Sequence, residues 1–260
     1  MIFPLSHRER GQNVLILGGT TEASAIARAL AGDARFQAVL SLAGRTRAPV
    51  LPPIPWRSGG FGGAEGLAAY LRTEGVQALV DATHPYAARI SHNAVLAAAA
   101  AGVPHLAVLR PAWSAQPGDR WTAVPSMDAA AAALGPLPRR VLLTVGQQEL
   151  APFLAVPWHR YLIRSVEPPP PALLPPGARI LTARGPFTEA DEHRLLVGKQ
   201  IEVLVTKNSG GTATAAKLAA ARALGVEVVM VARPPVPPGT VPDAEAALAW
   251  LHQLATERGA

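Results

Sequence analysis

Short apolar runs rich in Val, Leu and Ile alternate with amphipathic or Ala-rich segments along nearly the whole chain, and this alternation limits the available folds more than any other feature. Parallel strands must be joined by a crossover, and a helix is the usual one, so the pattern dictates βαβ units and a parallel sheet. The first expected strand is Asn13–Leu17, followed by Gly18-Gly19-Thr20-Thr21 and a helix to about Ala31. A second strand, Gln37–Leu42, ends in Ala43-Gly44-Arg45-Thr46. A Pro-rich connection leads to Trp56-Arg57-Ser58 and Gly59-Gly60-Phe61-Gly62-Gly63, then a helix over Ala64–Thr73. The strand Ala78–Asp81 runs into Ala82-Thr83-His84-Pro85-Tyr86. A helix over Ala87–Ala101 and a strand over His105–Leu109, ending at Arg110-Pro111, complete the first half.

The alternation then restarts. Strands are expected at Val141–Val145, Tyr161–Val166, Arg179–Thr182, Val203–Thr206 and Val226–Val231. Helices are expected at Glu189–Val197, after Lys207-Asn208-Ser209-Gly210-Gly211-Thr212 as far as Leu224, and over Ala244–Thr256. The reading is an α/β chain of two Rossmann-like parallel-sheet domains, 1–120 and 121–260, with about five strands each and a break between Trp113 and Pro138. Open α/β sheets bind ligands outside the carboxyl ends of their strands, and nearly every unusual motif here sits at such an end. Two facing halves would gather those ends around one cleft.

Composition narrows the chemistry. With no cysteine, a disulfide framework, a thiolate metal site, an iron–sulfur cluster and a cysteine nucleophile are excluded. The formal charge is +6, carried mostly by arginines scattered without a basic run, which suits small polyanionic ligands better than nucleic acid. Met1 to Gln12 has no apolar core of a signal peptide, and no stretch is long and apolar enough to span a bilayer. A cytoplasmic protein with no membrane and no nucleic-acid partner is expected. No metal is expected either: no other His or carboxylate has ligand spacing with His84, and His92 is not on its helical face.

Each motif has a physical reading. Gly18 and Gly19 permit close backbone approach, and a helix starting at Thr20-Thr21 offers free amides and a positive dipole end to a phosphate. The turn is not G-x-G-x-x-G. Glu22 is unfavourable beside a phosphate and is assigned to the helix dipole or to a ligand hydroxyl. NAD-specific sites place an acid at the end of the second strand, whereas Ser41-Leu42-Ala43-Gly44-Arg45-Thr46-Arg47 has none; its hydroxyls and arginines suit a 2′-phosphate. The cluster of glycines around Gly60 and Phe61 serves either close approach to a ligand or plain loop flexibility. At Asp81–Tyr86, His84 can move a proton or orient a carboxamide, while Thr83 and Pro85 also suit a helix start. Lys207, Asn208, Ser209 and Gly210 offer a cation, an amide, a hydroxyl and backbone amides to an anion, without the Walker pattern of an ATP site. Arg110, Arg164, Arg184 and Arg233, at or near strand ends, suit a ligand with several carboxylates.

Taken together, Leu15-Ile16-Leu17-Gly18-Gly19-Thr20-Thr21-Glu22, Ala43-Gly44-Arg45-Thr46, the Gly59–Gly63 cluster, Asp81-Ala82-Thr83-His84-Pro85-Tyr86-Ala87 and Thr206-Lys207-Asn208-Ser209-Gly210-Gly211 resemble the precorrin-6A reductase family of corrin biosynthesis. The two Arg-Pro strand ends match as well, and the resemblance covers nearly the whole chain from Asn13, in order. It implies an NADPH-dependent oxidoreductase that reduces the double bond between carbons 18 and 19 of precorrin-6A, giving precorrin-6B in cobalamin biosynthesis. A relative in the anaerobic route acts on the cobalt-bearing intermediate, and a non-catalytic NADPH-binding sensor is the alternative from another class. A short-chain dehydrogenase is disfavoured, because none of Tyr70, Tyr86 and Tyr161 has a Lys four residues on.

The resulting expectations are specific. Asp81, His84 and Lys207 are the candidate catalytic residues. Gly18, Gly19, Thr20, Thr21, Ser41, Gly44, Arg45, Thr46, Gly60, Phe61, Thr83, His84, Lys207, Asn208, Ser209 and Gly210 are expected to bind NADPH. Tyr86, Arg110, Arg164, Arg184 and Arg233 are expected to hold the tetrapyrrole. A monomer is expected, with contact to neighbouring pathway enzymes left open.

Overall fold

The computed structural model describes residues 11–44, 52–236 and 239–257. The chain divides into two units, Met1–Arg110 with Pro234–Ala260, and Pro111–Arg233.

The first unit holds six parallel strands: β1 (Gln12–Leu17), β2 (Phe36–Leu42), β3 (Trp56–Ser58), β4 (Ala78–Asp81), β5 (His105–Val108) and, far along the chain, β12 (Thr240–Val241). Their spatial order is β3-β2-β1-β4-β5-β12, that of a doubly wound dinucleotide-binding sheet. Among the described residues four helices belong to it: α1 (Thr21–Leu30), α2 (Ala64–Thr73), α3 (Ala88–Ala101) and α7 (Ala244–Glu257). β1 shows why a sheet covered on both sides forms. Val14 and Ile16 join one core with Ile26, Leu30 and Leu251, while Leu15 and Leu17 join another with Leu67, Leu71 and Ala97. Successive residues point to opposite faces and both faces must be covered, so the strand reads as a continuous apolar run. Helix α1 supplies its part through Ala23, Ile26, Ala27 and Leu30, spaced to fall on one helical face.

The second unit has its own six-stranded parallel sheet: β6 (Trp121–Val124), β7 (Arg140–Thr144), β8 (Arg160–Ser165), β9 (Arg179–Thr182), β10 (Val203–Lys207) and β11 (Glu227–Val231). The order is β6-β11-β10-β7-β8-β9. Helices α4 (Met127–Ala133), α5 (Glu189–Gly198) and α6 (Ala216–Leu224) accompany it. Leu142, Leu204, Val228 and Met230 from three central strands pack with Leu196 and Leu218 from α5 and α6.

The two Rossmann-like parallel sheets expected from the alternation are present, with six strands each. The sequence reading missed β6 and β12, edge strands of four and two residues, whereas Trp56-Arg57-Ser58, which it placed ahead of a strand end, is β3. The boundary also differs. The chain leaves the first unit after Arg110, builds the whole second unit, and returns after Arg233. Residues 234–260, expected in the second domain, complete the first: β12 pairs with β5, and α7 buries Ala247, Leu251 and Ala255 in the first unit's core. The reason is burial, because the apolar stripe of α7 covers the sheet face that α1 leaves partly open. Both crossing points fall on Arg-Pro pairs, where proline lacks an N–H and holds the preceding residue extended.

Candidate functional site

In the first unit the turn after β1 is shaped for close approach. A Cβ on Gly18 would lie 2.6 Å from the Leu40 side chain, whereas Gly19, at φ +119°, has open space around the corresponding position. Thr20 is the N-cap of α1: its hydroxyl oxygen accepts from the Ala23 N–H at 3.2 Å and its proton goes to the Ala82 carbonyl at 2.7 Å. This ties the turn to the end of β4. Thr21 is exposed and donates to Glu22. The charge of Glu22, which would repel a phosphate at this helix start, is offset within the fold, because Arg110 donates to it at 2.8 Å with both side chains under 20% exposed. Arg110, expected on a substrate carboxylate, is therefore ion-paired next to the helix start.

Asp81 closes β4 and is buried. Its Oδ1 accepts from the Thr83 N–H at 3.1 Å and the Thr83 hydroxyl at 2.7 Å, and the Thr83 hydroxyl lies 3.3 Å from that of Ser91. Here the helix start differs from the sequence reading: α3 begins at Ala88 behind an Ala87 N-cap, so Thr83 is not its cap and Pro85 is not at its first position. Asp81 wins Thr83 because it sits two residues away with a buried acceptor to satisfy. His84 and Tyr86 are half-buried with rings 5.7 Å apart, and the Tyr86 N–H donates to His84 Nδ1 at 3.3 Å.

The carboxyl end of β2 carries a feature the sequence reading passed over. Arg57 on β3, paired in register with Ser41, lies over the Phe61 ring at 3.9 Å from its centroid and 5.3 Å from that of Tyr70. Its Nη1 donates to Ser41 Oγ at 2.8 Å and to the Gly59 carbonyl, and its Nη2 donates to the Gly60 carbonyl. Partial burial draws its pKa below the ordinary guanidinium value, yet a guanidinium stays charged. Gly44 sits beside this corner at φ +72°, where a Cβ would meet Ser58 Oγ at 2.8 Å. Arg45, Thr46 and Arg47, expected around a 2′-phosphate, lie outside the described residues. The signal for Arg57 was the glycine cluster beside it, since a loop of that composition needs an anchor.

In the second unit the loop expected to receive an anion is tied into the fold by several contacts. Lys207 donates to both carboxylate oxygens of Glu149, at 3.0 and 2.8 Å. Asn208 clamps Trp113, accepting from its N–H at 2.7 Å and donating to its carbonyl at 2.9 Å. Arg233 donates to the Asn208 carbonyl at 2.6 Å and the Pro111 carbonyl at 3.3 Å. Gly210, at φ +66°, is held where a Cβ would lie 2.0 Å from the Pro111 carbonyl oxygen. The Ser209 N–H turns back onto the Lys207 carbonyl. Lys207 to Gly210 and Arg233 thus knit the loop to the strand-exit segment at Pro111–Trp113. The trigger is backbone: the exit segment and the glycine loop each carry carbonyls needing donors.

Arg164 on β8 is buried. It donates to Glu192 on α5 at 2.8 Å, with side chains 7% and 0% exposed, and stacks 4.1 Å from the Phe187 centroid. Beside it Lys217, on α6 and also buried, stands 5.5 Å from the Trp113 centroid. Loss of hydration there pulls the Lys217 pKa down from 10.5 to about 7, with Arg164 and Lys207 pushing the same way and Glu192 opposing. Arg184 is exposed. Trp113, Glu149, Glu192 and Lys217 were not singled out in the sequence, because only the folded contacts link such distant positions.

The chain matches the family described as precorrin-6x reductase CbiJ/CobK over residues 13–252. It is 54% identical over 232 residues to a protein named precorrin-6A reductase from a Sinorhizobium species, covering 89% of this chain and 88% of that one. Another of the same name, from Rhodobacter capsulatus, is 51% identical and covers 95% and 98%. The solved structure described as CobK precorrin-6A reductase superposes with a TM-score of 0.89 at 50% identity, covering 94% of this chain and 97% of that one.

Proposed function

The chain belongs to the precorrin-6x reductase family CbiJ/CobK, and from that premise we propose that it is the precorrin-6A reductase of a cobalamin-forming route, with NADPH as reductant. The family match, which spans residues of both units, carries this reading. An oxidoreductase of tetrapyrrole metabolism follows from it directly. NADPH, the macrocycle and the residue roles are the finer part.

The residues of the first unit fit a dinucleotide phosphate. Gly19 leaves open space where the backbone must approach a ligand, and the α1 N-terminus presents its dipole there. The Glu22 charge is already compensated by Arg110. The described end of β2, from Ser41 to Gly44, carries no acid to repel a 2′-phosphate. NADPH when bound supplies a hydride, and the reduced double bond gains that hydride on one carbon and a proton on its neighbour.

The chain's own groups orient and exclude water. Thr20 links the phosphate turn to Ala82, and Asp81 fixes Thr83, so the segment carrying His84 is held against the same strand ends. The Tyr86 N–H donating to Nδ1 and the neighbouring Tyr86 ring fix the orientation of the His84 imidazole, which would align a nicotinamide carboxamide or a substrate carbonyl. We assign it positioning, and the proton to solvent or to the substrate's own groups. Asn208, Ser209 and Gly210 hold the second unit's loop rigid. Exposed Arg184 and half-buried Arg233 remain proposed contacts for the acidic side chains of the macrocycle. A cytoplasmic location accords with this function.

The test is an anaerobic assay of the purified protein with NADPH and precorrin-6A. Consumption of NADPH with a product heavier by two hydrogens is expected. Tight NADPH binding without turnover would favour the sensor, and turnover only of the cobalt-bearing macrocycle would move the chain to the anaerobic reaction.

A further inference from the structure

We propose that Arg57 is the fixed cation that holds the 2′-phosphate of the cofactor, and that the corner formed by Arg57, Ser41 and Phe61 sets the preference for NADPH over NADH. This rests on the nicotinamide-cofactor reading above and adds to it a specificity residue that the sequence alone did not single out.

Topology places the corner. In a doubly wound sheet of this strand order the dinucleotide crosses the carboxyl end of the first strand, and its adenosine ribose lies toward the end of the second. Ser41 is at that end of β2, and Arg57 pairs with it from β3. The Arg57 side chain is held rather than solvated. One face lies on Phe61 at 3.9 Å, and three of its N–H groups are taken by Ser41 Oγ and the carbonyls of Gly59 and Gly60.

A guanidinium has five N–H donors. The three used here are both of those on Nη1 and one on Nη2. The two left are on Nε and Nη2, the two nitrogens of one guanidinium edge, the edge that matches two oxygens of a phosphate. No carboxylate among the described residues pairs with Arg57, so its charge is not compensated within them. Ser41 is only 6% exposed and uses its oxygen as the acceptor toward Arg57, which leaves its hydroxyl proton to serve as a further donor. An NADH ribose would offer this edge a neutral hydroxyl, while a 2′-phosphate offers it a dianion. The stacked ring and the two carbonyls mean that little side-chain entropy remains to be lost on binding.

The Gly59–Gly63 loop acquires a purpose from this arrangement. Gly62 and Gly63 adopt φ of +81° and +99°, and Gly66 has no room for a Cβ, which would fall 1.7 Å from the Phe61 carbonyl oxygen. The loop is thereby forced to bring Phe61 beneath the guanidinium and the Gly59 and Gly60 carbonyls to its edge.

The experiment is calorimetric titration of the full-length protein with NADP+, NAD+, 2′,5′-ADP and 5′-AMP. The wild type is expected to prefer the 2′-phosphorylated member of each pair. In Arg57→Ala, affinity for NADP+ and 2′,5′-ADP should fall about 10- to 100-fold, as expected for a charge-assisted hydrogen-bonded pair, with NAD+ and 5′-AMP changed by less than about threefold. Arg57→Gln keeps a donor for the loop carbonyls without the charge, so it should lose the discrimination even where Arg57→Ala folds poorly; Arg57→Lys should restore part of it. Equal losses for phosphorylated and unphosphorylated ligands, or an unchanged ratio in both Arg57→Ala and Arg57→Gln, would leave Arg57 as a loop clamp and overturn the inference. A wild type that binds NAD+ as well as NADP+ would instead overturn the NADPH reading, and this inference with it.

Discussion

Arg164→Met separates a structural arginine from a substrate-binding one. The guanidinium and the Glu192 carboxylate are 2.8 Å apart, with side chains 7% and 0% exposed, and Glu192 Oε2 has no other hydrogen-bond partner. Removing the cation strands a carboxylate in a place water barely reaches. Breaking a buried pair from one side costs about 3–5 kcal/mol. The lost stacking on Phe187, at 4.1 Å, adds about 1–2 kcal/mol. Methionine fills much of the vacated volume and returns part of this through burial, so a net loss of about 4 kcal/mol is expected. For a cooperative unit the size of Pro111–Arg233 that corresponds to a melting temperature lower by roughly 15 °C. Urea denaturation of wild type, Arg164→Met, Glu192→Leu and the double variant forms the cycle. The double variant should recover most of the loss, because replacing both charges with apolar groups leaves neither unpaired. An Arg164→Met protein within about 1 kcal/mol of wild type, but with a raised KM for the tetrapyrrole, would refute this and return Arg164 to the substrate site.

Three further outcomes follow from the same contacts. Lys217 has a folded pKa near 7 against 10.5 unfolded, so between those values the unfolded chain binds more protons and stability rises with pH; below about pH 7 the full penalty, a few kcal/mol, is present. Lys217→Met should therefore raise the melting temperature most at pH 6–7 and progressively less toward about pH 10; a gain independent of pH, or growing with it, would contradict the buried amine. Gly66→Ala should push the Phe61 carbonyl aside, costing about 1–3 kcal/mol in thermal denaturation and weakening NADP+ binding through the displaced ring; an unaltered protein would show that the loop relaxes freely. His84→Ala should lower kcat roughly tenfold with an unchanged pH profile, as loss of positioning does; disappearance of a titration near neutral pH would make His84 the proton donor instead.

What could be read without a structure was whatever is local and periodic. Continuous apolar runs such as Val14–Leu17 and Val203–Val205 specify strands covered on both faces, because only parallel sheets bury both sides of a strand. Glycine turns at the strand ends placed Gly18 and Gly44 at points where a Cβ would press on the Leu40 and Ser58 side chains, and the acid-free segment from Ser41 to Gly44 was visible as composition. The resemblance carried by Asp81–Ala87 and Thr206–Gly211 pointed to the family for the same reason, since each is a contiguous motif. Contiguity does not tell what a side chain is spent on. Lys207 and Asn208 looked like ligands and are occupied by Glu149 and Trp113, and Arg164 looked like an outward cation and faces Glu192.

Three matters were decided only in three dimensions. β12 and α7 return across the length of the second unit to complete the first sheet, because a two-residue strand has no period and its partner lies more than a hundred residues earlier. The charge of Glu22 is offset by Arg110, eighty-eight positions away. Arg57, one arginine among many in the sequence, is held in place only when Ser41, Gly59, Gly60 and Phe61 surround it. The amino-acid pattern determined which segments are strands and helices and which unusual motifs sit at their ends. Which cations are spent within the fold and which remain for a ligand is a question of pairing across distant positions, and electrostatic and hydrogen-bond satisfaction is settled by tertiary packing.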